Sequence, residues 1–419
     1  MGAWRFITGC LRLLGRGGWT YRLWVGFLLL LVAVGVHAYG RQFQHGLIAT
    51  NMRDQVSWGF YIGNFTFLVG VAAAAVLLVI PAYVYQWGPI KEVVILGELL
   101  AVSALVMCLL FVLVDMGRPD RLWEIIPLIG SLNLPSSILA WDVVVLNSYL
   151  LVNTVVVAHI LYKGFRGEPY NKNVVVPLVL LSVPMAVSIH TVTAFVYNGL
   201  AARPFWNASI LAPRFIASAF CSGPAILLVL FQVLRRTTRF RIRDEAIWKV
   251  AELMAYTMFF NLFLLAAELF KEFYSHTEHL VHTEYLYLGL SGHAPLVPYA
   301  WAALLCDVAA FLMFLVPATR KHLFTLNLGC LLIYAGVYIE KGMGLILPGM
   351  TPDTLGEIYE YTPTLTEWQV AAGIFGVGFL VFTMVVKVAV PILTGEFSTR
   401  AGAAAERNVV PEGTTAVTA

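Results

Sequence analysis

Charge is scarce in this chain. Of 419 residues only 27 are Lys or Arg and 24 are Asp or Glu, 12% in all, against 59% hydrophobic residues. Mean hydropathy is +0.79. Soluble domains carry about 25% charged residues, so a single water-soluble fold is excluded. Cysteine is sparse too. Cys10, Cys108, Cys221, Cys306 and Cys330 are scattered, with no Cys-x-x-Cys pair and no His at ligand spacing. That argues against an iron–sulfur cluster or a structural metal site built by this chain. The formal net charge of +3 follows from basic loops between apolar runs, so no nucleic-acid partner is expected.

What is abundant is uninterrupted apolar sequence. Ten runs at 22–39, 58–86, 91–115, 137–161, 174–197, 214–234, 249–270, 296–317, 323–340 and 368–394 are bounded by charges, Pro/Gly clusters or aromatic residues. About 20 apolar residues in a helix cross the hydrocarbon layer. The expectation is an all-α integral membrane protein with ten transmembrane helices, arranged as two four-helix bundles (about 58–197 and 214–340) plus flanking first and last helices. Residues 1–21, with Trp4, Phe6, Ile7, Leu11 and Leu14 at roughly helical spacing, read as an amphipathic segment on the cytoplasmic membrane surface. Residues 22–395 form the membrane domain, and 396–419 read as a flexible cytoplasmic tail.

Basic residues fall unevenly. Nineteen of the 27 Lys and Arg, including the run Arg235, Arg236, Arg239, Arg241 and Arg243, lie in the segments on the N-terminal side. The positive-inside rule then puts both termini in the cytoplasm, with the chain multi-pass in the inner membrane. The segments 116–136, 271–295 and 341–367 on the other side are long, weakly charged and rich in Pro, Gly and aromatic residues. They read as a docking surface for a partner, against the plainer reading of extracytoplasmic caps.

Ionisable groups inside the apolar runs are the functional signal, since each costs about 2.5–3.5 kcal/mol at a helix centre. Asp115 and Arg118 stand at i,i+3 and are expected to pair; Glu268 and Lys271 repeat that spacing. A Trp and then an acid open the helix that follows in both cases (Trp141 with Asp142, Trp301 with Asp307), which hints at an internal duplication. Asp142 and His190 reach a similar depth counted from the same edge. A carboxylate and an imidazole there suit proton transfer near neutral pH, against a His satisfied by Thr191 or Thr193. Glu98, Glu252, Glu268 and Asp307 are candidates for a proton path, although no single helix face links them.

A bis-histidine haem needs two His on different helices at matched depth. Only His37 and His190 share a side within spans, so no haem is expected. His276, His279 and His282 resemble a metal tract but lack supporting acids or thiols, and read as a solvated loop face with no metal.

Together, Ser57-Trp58-Gly59-Phe60-Tyr61-Ile62, Asp115-Met116-Gly117-Arg118-Pro119, Trp141-Asp142, the His190 helix and Tyr361-Thr362-Pro363-Thr364-Leu365-Thr366-Glu367-Trp368 resemble the NrfD / polysulfide-reductase membrane-subunit family, over about 50–395. Segments 181–225 and 341–397 look most like its DsrP branch, from sulfite-reduction-associated complexes. The resemblance implies a haem-free subunit, not catalytic alone, that exchanges electrons between menaquinone or ubiquinone and an extracytoplasmic ferredoxin-like iron–sulfur subunit. A multihaem cytochrome c, a b-type cytochrome and cytoplasmic iron–sulfur subunits would complete the complex, which serves dissimilatory sulfur metabolism. It also implies a quinone ring near Trp58, Tyr61, Asp115, Asp142 and His190, with His190 and Asp142 as the catalytic proton carriers. The first and last helices depart from an eight-helix family core. A structural anchor without quinone and a secondary transporter are the competing readings, the latter calling for matched helix breaks at midplane.

Overall fold

The computed structural model describes residues 2–126 and 129–398, and these are helical throughout apart from loops and one isolated bridge between Leu290 and His293. The expected tail from 399 onward lies outside the described residues. Among those described, ten helices are long and apolar enough to cross a membrane. They are α1 (Trp19–Ala49), α2 (Phe60–Val84), α3 (Gly88–Asp115), α4 (Ile138–Phe165), α5 (Lys172–Asn198), α6 (Leu211–Thr237), α7 (Asp244–Ser275), α8 (Val297–Leu315), α9 (Leu323–Met350) and α10 (Leu365–Leu393). Each expected span is present, most of them longer than the apolar run alone. The extra turns carry the charged and aromatic residues that hydropathy leaves out.

Two faces are defined by contacts between connections. On the basic face, Arg243 binds Glu92 at 2.6 Å and Arg239 binds Glu396 at 3.3 Å. Phe165 there packs against Phe6 and Phe397. The N-terminal helix Gly2–Gly15 lies along this face, exposing Trp4, Ile7 and Leu11 while Phe6, Cys10 and Leu14 pack on the core. On the distal face, Asn51 Nδ2 donates to the Thr362 carbonyl at 3.1 Å, Arg203 donates to the Met350 carbonyl at 3.0 Å, and His293 meets Glu360 at 2.7 Å.

The helices form two groups around a shared seam. α2 packs on α3, α4 on α5, α6 on α7 and α8 on α9, and α2 meets α6 across the middle. α1 and α10 pair with each other, and α10 rests against α3. That pairing depends on absent side chains: a Cβ at Gly35 would stand 2.5 Å from Gly373 Cα. Small residues let helix backbones approach this closely in a membrane.

Two spans are irregular. α2 loosens past Ala72 into a 3₁₀ turn and then a π turn over Ile80–Val84, where Pro81 lacks an N–H to donate. α9 breaks at Gly342, between Leu323–Lys341 and the short helix Met343–Met350. Hydropathy alone predicts no break in helix 9 and ends it at 340. Gly63 of α2 approaches the Gly342 backbone at this break. Its positional counterpart α5 runs unbroken from Lys172 to Asn198, so the breaks are not matched as the transporter reading requires.

Candidate functional site

Polar groups gather in the distal half of the helices. The junction of α1, α2, α3 and α10 holds the first cluster. Tyr61, fully buried, donates its hydroxyl to Gln42 Oε1 at 2.7 Å, and Gln42 Nε2 donates to the Val114 carbonyl at 2.7 Å. Asp115 ends α3 with Oδ1 buried and without a hydrogen-bond partner. The expected Asp115–Arg118 pair does not form. The helix stops at Asp115 and Met116 is extended, so the i,i+3 geometry is lost. Arg118 instead binds Asp120 at 2.9 Å on the exposed loop, which holds the Asp120 carboxyl below the usual range.

Beside Asp115 lies Glu367, which hydropathy and charge spacing do not single out. It sits in the first turn of α10, in a capping box with Thr364. Its Oε2 accepts from the Asn51 N–H at 3.0 Å and the Thr364 N–H at 2.8 Å, and Tyr361 donates its hydroxyl to Oε1. Tyr361 in turn accepts from the Phe60 N–H at 3.0 Å. Residue 59 must be glycine for this, because a Cβ would stand 2.5 Å from the Tyr361 ring.

The second cluster spans α2, α4 and α5. Trp58 meets Tyr197 edge-on at 5.6 Å and lies 5.7 Å from Trp206. Tyr197 shares a short hydrogen bond with Thr66. Asp142 is buried and accepts from Thr193 Oγ1 at 2.7 Å. His190 therefore does not use Thr193; its Nδ1 lies 2.7 Å from the Ala186 carbonyl. A carbonyl only accepts, so Nδ1 carries the hydrogen and Nε2 presents a lone pair. That Nε2 is buried and has no partner, and the His190 side chain lines small cavities between α2, α5 and α6.

The proton-path candidates separate. Glu98 accepts from Tyr83 at 3.3 Å in the α2/α3 pair, with its second oxygen unpartnered. Glu252 binds Lys249 at 2.9 Å near the basic face. Glu268 does not meet Lys271, which binds Glu272 at 2.9 Å; it binds Arg214 across the α6/α7 contact. Asp307 is buried over Gly336. Glu340 and Lys341, beside Glu268 and Asp307, are charges that the sequence alone does not flag. They follow an apolar run directly and read as an interfacial end, but the chain continues into Met343–Met350. The loop histidines also differ from expectation. His282 is buried against the Thr351 carbonyl at 3.3 Å, and among the described residues no cluster of three or more metal-ligand types occurs.

Asp115 Oδ1 and His190 Nε2 are each buried and unpartnered, and each can accept a hydrogen bond from a hydroxyl such as that of a quinol head. Comparison with known proteins finds membrane subunits of redox complexes. A putative dimethyl sulfoxide reductase membrane subunit from Halobacterium salinarum is 28% identical over 88% of this chain and 89% of its own length. A selenate reductase subunit from Mesobacillus selenatarsenatis is 23% identical over 88% and 94%. An Hdr-like menaquinol oxidoreductase integral membrane subunit from Archaeoglobus fulgidus is 22% identical over 86% and 91%. Residues 49–351 match the family described as polysulphide reductase, NrfD, and the chain belongs to that family of membrane subunits of quinone-linked redox complexes.

Proposed function

We propose that this subunit exchanges electrons between membrane quinone and an iron–sulfur partner docked on its distal face, with the quinone head near Asp115, Asp142 and His190. The observation that carries the reading is the pair of buried, unpartnered acceptors, Asp115 Oδ1 and His190 Nε2, in the distal half. A quinol undergoing oxidation supplies two electrons and two protons. His190 takes a proton at Nε2 while its Nδ1–H stays anchored on Ala186. Asp142, held by Thr193, gives the second proton acceptor, and Asp115 orients a hydroxyl. Trp58, Tyr197 and Trp206 keep water away from that side, and Tyr61 fixes Gln42 behind it. Menaquinone is the favoured carrier, since one relative is named for menaquinol.

The partner side is the distal face, where Leu122, Trp123, Ile126 and Ile129 are exposed on the 116–136 loop. Both termini face the cytoplasm across the inner membrane. On the likeness of 181–225 and 341–397 to DsrP-type subunits, the host complex works on sulfur compounds. Quinol binding and quinol-to-acceptor turnover of the purified complex test the proposal. His190→Gln should leave binding within a few-fold and lower turnover by about 100-fold; Asp115→Asn should weaken binding. Wild-type turnover in both variants would remove the site from this region.

A further inference from the structure

A second set of charges is buried in the other half of the molecule, apart from the residues assigned above. Arg214 of α6 donates to Glu340 Oε1 of α9 at 2.5 Å and also pairs with Glu268 of α7. Lys341 Nζ lies 3.8 Å from Glu340 Oε1 and 5.0 Å from the Phe215 ring centre, with no hydrogen-bond acceptor. Asp307 of α8 is 1% exposed and its Oδ1 has no donor. A Cβ at Gly336 would fall 2.2 Å from that oxygen, so α9 is cut away to seat the carboxyl. Glu272 faces the same space but is balanced by Lys271 at 2.9 Å.

Charge balance decides what the cluster holds. Two cations, Arg214 and Lys341, face three carboxylates, Glu268, Asp307 and Glu340. One negative charge is left over in a medium where an uncompensated ion costs several kcal/mol. The remaining titratable groups facing it supply no cation: Tyr287 and Cys221 are a neutral phenol and thiol, and His190, across the Lys341 cavity, holds its one proton on Nδ1 against the Ala186 carbonyl. A single exchangeable positive charge must therefore complete the site. Glu268 and Glu340 are each bonded to Arg214; Asp307 has no such partner, so the charge belongs there.

Two openings lead away. Lys341 and His190 line one cavity together with Thr66, Ser218 and Ser222 and the apolar Phe67, Phe215 and Val337, with room for about one water molecule. On the other side a larger pocket runs from Asp307, Glu340 and Glu268 to Thr283, Leu286 and Tyr287 beneath the distal helix Leu280–Tyr287.

We propose that Arg214, Glu268, Asp307, Glu340 and Lys341 form a proton-holding site, with the proton on Asp307, loaded from His190 through the Lys341 cavity and emptied through the distal pocket. The loading step rests on the quinone reading above; the resident proton does not. No bond other than O–H and N–H is made or broken, and no electrons move through the site.

Infrared difference spectroscopy of the purified full chain, with hydrogen–deuterium exchange, tests the resident proton. A deuterium-sensitive band of a buried protonated carboxyl should be present in wild type and absent in Asp307→Asn, which balances the cluster without a proton. Persistence of that band in the variant, or its displacement by sodium at fixed pH, would overturn the assignment. Circular dichroism of Asp307→Asn checks folding, and Glu340→Gln gives a second reading if it fails, with the same band expected to vanish. For the loading step, Lys341→Met in vesicles should slow quinol-linked proton release by about 100-fold while quinol affinity stays unchanged; unaltered release would sink it. Absence of quinol binding in wild type would defeat the quinone reading alone, because the infrared band is read without quinol.

Discussion

Glu367 has no exposed surface, and its position makes one carboxylate serve three segments of chain. It receives N–H groups from Asn51 and Thr364 and the Tyr361 hydroxyl, so the α1–α2 connection, the 351–364 loop and the start of α10 close on one point. Glu367→Ala would strand two half-buried N–H groups and a hydroxyl. It should destabilise the protein by about 3 kcal/mol, given the usual penalty for unmade bonds to a charged group. Glu367→Gln keeps the acceptor and should lose about a third of that, read as unfolding in detergent. Equal stability of the Ala variant and wild type would show that solvent replaces the carboxylate. The Thr364-x-x-Glu367 spacing is legible as sequence, but its enclosure is not. A capping box looks the same on a surface helix, and only the folded loops bury this one. The same limit hides Arg214 and Glu340, whose meaning lies in partners 126 positions apart.

The helices themselves are legible because lipid contact selects composition directly, and all ten apolar runs form spans. Irregularities are not, since the α9 break at Gly342 faces Gly63 of α2 and Pro81 loosens a helix already packed on α3. The short distal helix Leu280–Tyr287 shows a further gap. His276, His279 and His282 look alike at threefold spacing, yet the fold buries His282 and leaves His276 exposed. Burial holds the His282 imidazole below its ordinary value, opposed by its bond to the Thr351 carbonyl; burial does the same to His279. The opened segment therefore takes up protons below about pH 6.5 before the native one does. Stability of this element is present above that pH and falls as pH drops through the depressed native value. Amide exchange of 280–287, corrected for its intrinsic pH dependence, should speed up between neutral pH and about pH 5. His282→Gln should flatten that response, and an unchanged slope in the variant would clear His282 of it.

At the scale of the molecule, two halves meet at α2 and α6 and carry different loads. His190 of α5 and Lys341 of α9 stand at the same depth counted from the starts of their helices, and they face one cavity across the seam. The two Trp-and-acid pairs that hint at an internal duplication, Trp141-Asp142 and Trp301…Asp307, do not match in depth. Asp142 lies within the first turns of α4, whereas Asp307 sits deeper in α8. His190, Lys341 and Asp142 lie toward the distal face and Asp307 near the middle of α8, while the excess of Lys and Arg lies toward the other face. In the proposed orientation, which follows from basic connections resisting translocation, protons leaving by the distal pocket would emerge outside the cell's interior. An impermeant thiol reagent checks this in intact cells: Thr354→Cys, on the distal 351–364 loop, should be labelled without permeabilisation, and Thr238→Cys, in the basic α6–α7 connection, only after it. The reverse pattern would invert the direction of proton release and place the proposed partner surface around Leu122, Trp123, Ile126 and Ile129 in the cytoplasm.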